Sequence, residues 1–106
     1  MKHYVIAEIS VTDPAWVGSY IRAVTPMIER LGGRYLARTS NVERIEGDRP
    51  AAQVFVLVEW PSREAAVAFY ESEEYRPYRE SRIAGAINEL TIIAGEDMTG
   101  AARIDG

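Results

Sequence analysis

One segment near the middle of the chain constrains the fold more than any other. The run from Gln53 to Trp60 (QVFVLVEW) is rich in β-branched and aromatic residues, which is typical of a strand at the centre of a sheet. Pro61 cannot continue such a strand, and Ser62 is a residue type that favours the N-cap of a helix. The sequence therefore predicts a central strand that turns directly into a helix.

Hydrophobic periodicity and turn residues divide the rest of the chain into strands and helices. Asp13-Pro14 has the residue types that begin a helix, Gly32-Gly33 ends that helix, and Pro26 inside it predicts a kink near Thr25. The predicted strands cover residues 4–11, 34–45 with a bulge at 39–41, 53–60 and 87–94, and the predicted helices cover 13–31, 62–70 and 77–84.

The order of these elements predicts the fold class. The pattern β-α-β-β-α-β indicates an α+β, ferredoxin-like fold with a four-stranded antiparallel sheet and its helices on one face. The first, third and fourth strands carry apolar residues on both alternating faces, so we expect the face without helices to be covered as well. We predict a homodimer by sheet-to-sheet packing, a dimeric α/β barrel. Residues 1–95 form this single domain, and residues 96–106 are predicted as a C-terminal tail, either loose or exchanged between copies.

Composition limits the classes of function open to the chain. Among the 106 residues, acidic and basic side chains are interspersed with a net charge of -4, so nucleic-acid binding has little support. There is no cysteine and a single histidine, His3, so we expect no metal site and no cofactor, and a haem-handling oxygenase has little support. Because the chain has no long apolar run and Met1 leads into a strand pattern, we expect no membrane segment, no signal peptide and a cytoplasmic location.

Several motifs together resemble a known family. They extend over residues 3 to 95 and include Val11-Thr12-Asp13-Pro14, the segment from Gly32 to Arg38, Trp60-Pro61-Ser62, Phe69-Tyr70 and Tyr75. The chain is similar to the domain-of-unknown-function family thirteen-thirty, within the dimeric α/β-barrel superfamily, although Phe-Pro-Ser is commoner there than Trp-Pro-Ser. The resemblance implies the fold and a cleft between helices and sheet in each subunit. It implies no catalytic residue, since the wider superfamily hosts several functions.

Polar residues after the second helix form the best candidate for a ligand site in that cleft. An arginine with tyrosine hydroxyls can hold a carboxylate or enolate oxygen in a partly dry pocket and can stabilise developing negative charge. An alternative stays open, in which the serine is a cap, the tyrosine packs its ring while its hydroxyl stays in water, and the arginine pairs with a glutamate. The candidate ligand-binding residues are Tyr20, Arg34, Ser72, Tyr75 and Arg82.

Two glutamates, Glu8 and Glu59, lie in strands that are otherwise apolar. A carboxylate in a site of low dielectric constant has a raised pKa and can act as a base. The alternative is a structural ion pair with Arg34 or Arg38 from a neighbouring strand.

These patterns support two functions. The first is binding of a small acidic or carbonyl-containing metabolite, with or without cofactor-free chemistry such as isomerisation, oxygenation or proton transfer. Arg82 and Arg34 would bind an oxyanion, while Tyr75, Ser72 and Tyr20 would orient the ligand. The alternative is a non-catalytic dimer, either a ligand sensor or a stress-associated interaction protein. An open cavity with Arg82 and Tyr75 directed inward would favour binding, whereas a filled interior would favour a structural role.

Overall fold

The structure, a computed structural model, describes residues 1–99. Within them, the strands are β1 (His3–Val11), β2 (Arg34–Thr39), β3 (Val54–Trp60) and β4 (Ala86–Ala94), and the helices are α1 (Val17–Arg30), α2 (Arg63–Glu71) and α3 (Arg76–Gly85). A short 3-10 helix, Pro14–Trp16, precedes α1. Of the predicted C-terminal tail, residues 100–106 lie outside the described part of the chain.

The four strands form one sheet in the order β2-β3-β1-β4, and each neighbouring pair is antiparallel. This order confirms the predicted α+β, ferredoxin-like fold. It also confirms the central position of β3, which pairs with β1 on one side and β2 on the other.

The predicted start and stop residues act as expected. The Asp13 carboxylate accepts a hydrogen bond from the Ala15 backbone nitrogen (3.0 Å), and the Ser62 hydroxyl accepts one from the Ala65 nitrogen (3.1 Å). Each side chain satisfies a backbone donor that the first helical turn leaves free. After α1, Gly32 has a φ of 103°, a conformation that glycine adopts without steric cost. Pro26 lies inside α1, and the kink expected there stays a prediction.

The second strand is shorter than predicted. It ends at Thr39, its bulge lies between Tyr35 and Ala37 rather than at 39–41, and residues 42–45 form no strand. Thr39 is paired with Phe55, and β3 begins one residue earlier, at Val54. A continuation over 42–45 would therefore have no partner for its backbone hydrogen bonds, and an unpaired strand is not stable.

The two faces of the sheet have different neighbours. The core lies on the helix side, where Val58 and Trp60 of β3 pack with Val24 and Ile28 of α1 and with Phe69 of α2. Successive residues of a strand point to opposite faces, so the other residues of β1, β3 and β4 lie on the side of the sheet that has no helices. We call this side the open face. The apolar residues of the open face include Tyr4, Ile6, Phe55, Leu57, Ile87 and Ile93. Within residues 1–99, no helix is both long enough and apolar enough to cross a lipid bilayer.

Candidate functional site

A cavity of about 190 Å³ lies between the helices and the sheet. Its floor comes from the helix side of β1 and β3, where small and β-branched side chains such as Ala7 and Val56 leave space under the helices. Most of the lining is apolar. The tyrosine and arginine side chains that line it are Tyr20, Tyr35, Arg38, Tyr70, Tyr75 and Arg82.

Arg82 of α3 is the most unusual group in this cavity. Its side chain is 1% exposed, yet within residues 1–99 no carboxylate forms an ion pair with it. The guanidinium donates to the Asn88 amide oxygen from Nη1 (2.8 Å) and to the Tyr75 hydroxyl from Nε (3.4 Å). Its Nη2 atom is buried without a partner in the described part of the chain. Burial without a counter-ion is unfavourable for a charge, so this arrangement needs a functional explanation.

Two tyrosine hydroxyls lie beside the guanidinium. The Tyr20 and Tyr75 oxygens are 2.5 Å apart, and the Tyr75 ring packs on Phe69 with ring centroids 4.3 Å apart. Burial raises the pKa of the Tyr20 hydroxyl above its ordinary value, and the neighbouring Tyr75 raises it further. Tyr20 is therefore a neutral hydrogen-bond donor at physiological pH.

The charge of Arg82 is retained in this setting. Burial by itself lowers the pKa of its guanidinium, but the adjacent Tyr75 and Tyr20 hydroxyls outweigh that effect, so that the pKa lies above its ordinary value. The lining of the cavity thus includes a fixed positive charge with two hydroxyls next to it. Such a group of donors can hold an oxyanion.

Ser72 and Asn88 position these groups. The Ser72 hydroxyl donates to the Phe69 carbonyl (2.8 Å) and accepts from the Tyr75 backbone nitrogen (3.2 Å), so it shapes the turn between α2 and α3. This confirms the cap alternative for Ser72, and the backbone occupies its hydroxyl. Asn88 was not predicted. It is a polar residue on the helix side of β4, and this break in an apolar strand was the signal available in the sequence.

The C-terminus of α3 is tied to the turn after β1. The Gly85 carbonyl accepts hydrogen bonds from the Trp16 indole nitrogen (3.0 Å) and from the backbone nitrogens of Thr12 (2.9 Å) and Asp13 (3.1 Å). These bonds hold the last turn of α3, from which Arg82 extends into the cavity.

Arg34 lies outside the cavity, which corrects its assignment to the ligand-binding set. Its partner in the register is Glu59 on the open face, and the two side chains form an ion pair (3.6 Å) with Arg34 largely exposed. Strand residues alternate between faces, and the bulge after Tyr35 brings Arg38 to the helix side instead. Three of the predicted residues, Tyr20, Tyr75 and Arg82, do meet in one place.

Arg38 supplies a second cation at the β2 edge of the cavity. It donates to the Thr25 hydroxyl (2.8 Å), and its guanidinium lies 4.1 Å from the Tyr35 ring centroid. Burial raises the pKa of Tyr35, and Arg38 opposes that effect. Unlike Arg82, Arg38 is exposed and its contacts engage the guanidinium, so it is not a second buried anion site.

The two strand glutamates serve as ion-pair partners. Glu59 pairs with Lys2 (3.2 Å) as well as Arg34, and Glu8 pairs with Arg49 (3.3 Å). Both lie on the open face, so neither carboxylate reaches the cavity. The ion-pair alternative is confirmed for Glu59 with Arg34, whereas the partner of Glu8, Arg49, was not predicted. Among the described residues 1–99, no three potential metal ligands of the histidine, cysteine, aspartate or glutamate type are grouped together.

A family model described as "Domain of unknown function (DUF1330)" matches residues 2–96. This match confirms the family resemblance carried by the motifs. No protein with a curated description matches the sequence.

Solved structures with the same fold come from several organisms. A protein of unknown function from Rhodopseudomonas palustris is 18% identical with a TM-score of 0.76, covering 91% of this chain and 83% of the other. SnoaB from Streptomyces nogalater, a cofactor-independent oxygenase, is 15% identical with a TM-score of 0.62, covering 92% and 95%. A dimeric ferredoxin-like protein of unknown function from Jannaschia is 8% identical with a TM-score of 0.67, covering 89% and 99%. At these identities the likeness concerns the fold.

Proposed function

We propose that this chain, which belongs to the DUF1330 family, binds a small acidic or carbonyl-containing metabolite in the cavity between its helices and its sheet. The observation that carries the proposal is the burial of Arg82 without an acidic partner in the described chain. A ligand oxyanion supplies the missing counter-charge, and the apolar walls strengthen the interaction by excluding water.

Each residue near Arg82 has a distinct role in this proposal. Arg82 binds the oxyanion, while the Tyr20 and Tyr75 hydroxyls orient it by hydrogen bonds. Ser72 and Asn88 act through these residues, because the first holds the backbone at Tyr75 and the second holds one side of the guanidinium. In this proposal, the positive charge that holds the ligand is the guanidinium of Arg82.

Cofactor-free chemistry on the bound molecule is the second candidate function. It is favoured by the convergence of a guanidinium and two hydroxyls on one point, since such donors stabilise an enolate as it forms. SnoaB supports the candidate only as an example of cofactor-independent chemistry on this fold. A non-catalytic ligand sensor would use the same cavity without turnover.

We also propose that two copies pack through their open faces to form a dimeric barrel. Ile87 and Ile93 are 67% and 45% exposed in the single chain, and half-buried Ile6 and Leu57 lie beside them on the same face. Water contact with this much apolar surface is unfavourable. The Jannaschia protein, described as dimeric, supports the proposal by its shared fold.

A thermal-shift screen tests the binding function. The panel contains small carboxylic acids, enolisable ketones and phenols, applied to the wild type, to Arg82→Met and to Arg34→Gln. A compound present at ten times its Kd stabilises the folded state by about 1.4 kcal/mol, which raises Tm by roughly 5–11 °C in a domain of this size. We expect the shift to persist in Arg34→Gln, where the changed arginine lies on the open face, and to disappear in Arg82→Met. Equal shifts in both variants, or none in the wild type across the panel, would rule the proposal out.

Turnover separates the catalytic candidate from the sensor. A ketone that binds in the screen is incubated with the protein in deuterated water, and exchange of its α-hydrogens is followed by proton NMR. Exchange that is faster with wild type than with Arg82→Met indicates enolate chemistry. Binding without accelerated exchange indicates a sensor.

A further inference from the structure

The free hydrogen-bonding capacity of Arg82 lies on one edge of its guanidinium. Nη1 is occupied by the Asn88 amide oxygen, whereas Nη2 has no partner in the described chain and Nε makes only a long bond of 3.4 Å to Tyr75. Nε and Nη2 share the edge that can meet both oxygens of a carboxylate side by side. A single carbonyl or enolate oxygen would satisfy only one of these two donors.

Donors outnumber acceptors around this edge. The Tyr20 and Tyr75 hydroxyls share one hydrogen bond, which uses one of their two hydrogens, and the Nη2 hydrogens have no acceptor among the described residues. Buried donors without acceptors are rare in folded proteins because each one costs free energy. A carboxylate brings two oxygens with several lone pairs and no donor of its own. A neutral amide brings one acceptor and two further donors, so it fits this environment poorly.

The remaining space limits the rest of the ligand. The cavity volume of about 190 Å³ is slightly larger than the roughly 150 Å³ of an apolar cavity that accepts benzene in another protein. Its walls beyond the polar group are aliphatic or aromatic, including Val5, Val56, Val58 and Phe69. A second charge on the ligand would lie against these apolar walls, which is strongly unfavourable, because the other cation of the lining, Arg38, lies at the β2 edge with its guanidinium on Thr25 and the Tyr35 ring.

We infer that the ligand is a compact, apolar monocarboxylate of about the size of benzoate, held with its carboxylate side by side on the Nε–Nη2 edge of Arg82. This inference rests on the proposed binding function and narrows its ligand class. One of the two hydroxyls, the one whose hydrogen is not used between Tyr20 and Tyr75, donates to the same carboxylate. The ring or branched chain lies over the valines of β1 and β3.

Matched ligands test the inference. Benzoate and benzamide have the same shape and differ in charge, and 4-nitrobenzoate and terephthalate have nearly the same shape but carry one and two charges. Titrations are followed by calorimetry and by the NMR signals of the valine methyl groups. With wild type, we expect benzoate to bind at least about ten-fold more tightly than benzamide, and 4-nitrobenzoate more tightly than terephthalate.

Variants assign the preference to Arg82. Arg34→Gln is expected to retain the preference for benzoate over benzamide, and Arg82→Met to lose it. Arg82→Lys keeps the positive charge but loses the paired N–H donors of the guanidinium. It is therefore expected to bind benzoate more weakly than wild type while still preferring it to benzamide. This variant also provides the test if Arg82→Met does not fold.

The possible failures are distinguishable. Equal affinities for benzoate and benzamide, tighter binding of terephthalate than of 4-nitrobenzoate, or wild-type affinity in Arg82→Lys would overturn the ligand class but leave binding in the cavity standing. If none of the four compounds binds wild type, the inference is also overturned. The binding function then stands or falls with the wider screen of acids, ketones and phenols.

Discussion

Arg82 is the residue at which the proposed function and the stability of the fold are in conflict. A buried charge without a counter-ion loses hydration that hydrogen bonds to Asn88 and Tyr75 replace only in part. Even buried ion pairs can often be replaced by apolar residues of similar volume without loss of stability, and within the described chain the charge of Arg82 lacks the attraction to a carboxylate that such a pair has. The retention of an arginine here is therefore explained by a ligand better than by packing.

The stability of the ligand-free Arg82→Met protein follows from this argument. We expect its free energy of unfolding, measured by urea denaturation, to be within about 1 kcal/mol of wild type or higher, because methionine fills similar space without a charge. Asn88→Ala is the comparison variant, because it removes a hydrogen-bond partner of Arg82 and leaves the buried charge in place. A loss of several kcal/mol in Arg82→Met would show that Arg82 is a structural residue and would count against its role in binding.

The buried Tyr20 hydroxyl is expected to make the stability of the fold depend on pH in the alkaline range. Burial raises the pKa of its hydroxyl in the folded state above the ordinary value of about 10 that applies in the unfolded state. The contribution is therefore fully present below about pH 10 and is lost as pH rises further, because only the unfolded chain releases the proton.

The measurement is the urea midpoint at several pH values. Between about pH 9 and about pH 11 we expect wild type to lose about 1 kcal/mol more stability than Tyr20→Phe, which has no proton to release. Identical pH profiles for wild type and Tyr20→Phe would contradict the assignment.

Close contacts at its C-terminus, rather than a capping hydrogen bond from a side chain at its N-terminus, hold helix α3 in position. A methyl group on Gly85 would overlap the Trp16 indole and would lie 3.2 Å from the Asp13 carbonyl oxygen. The same glycine carries the carbonyl that accepts three hydrogen bonds from the turn after β1. The last turn of α3 therefore cannot move away without breaking those bonds.

Gly85→Ala is consequently expected to destabilise the fold by about 1–3 kcal/mol, the usual range for overpacking. Gly18→Ala is the matched control, because Gly18 is exposed in α1 and its new methyl group would meet only the flexible Arg22 side chain. That change should be neutral or stabilising by up to about 1 kcal/mol. Urea denaturation of both variants checks the difference, and equal effects would show that the Trp16–Gly85 contact is not tight.

The two sides of the sheet differ in the side chains they carry and in what covers them. The helix side contains the core and the cavity, while the open face carries apolar side chains interrupted by the ion pairs of Glu8 and Glu59. Val56 and Val58 both point to the helix side, so a substitution there would test folding and not assembly. A test of assembly needs an open-face residue such as Ile6.

Ile6→Glu is expected to yield single chains, because a carboxylate at the centre of the open face would be buried against a second copy. Ile83→Glu is the matched control. Ile83 is an exposed isoleucine of α3, a helix on the other side of the sheet, so this variant should keep the wild-type mass. Light scattering after size exclusion gives the masses. A wild type that is monomeric at micromolar concentration, or an Ile6→Glu variant that is still dimeric, would contradict the proposed dimer.

Local signals in the sequence determined most of the elements. Asp13, Ser62 and Gly32 act through the backbone of their own or the next turn, so their roles are readable from nearby residues. The apolar run of β3 likewise predicted a central strand, and the site residues Tyr20, Tyr75 and Arg82 were selected because their chemistry suits an oxyanion. The end of β2 was not predictable in this way, because it depends on where β3 begins.

Residue order alone determined the elements, their succession and the family of this protein, since each depends on short-range chemistry or on a pattern along the chain. The tertiary structure alone decided which arginine enters the cavity. Arg34, which precedes the bulge of β2, meets Glu59 on the open face, whereas the bulge after Tyr35 shifts the alternation and brings Arg38 to the edge of the cavity. The tertiary structure also decided that Arg82 is buried without a carboxylate partner in the described chain. This burial depends on the packing of α3 against β4, where Asn88 accepts a hydrogen bond from the guanidinium.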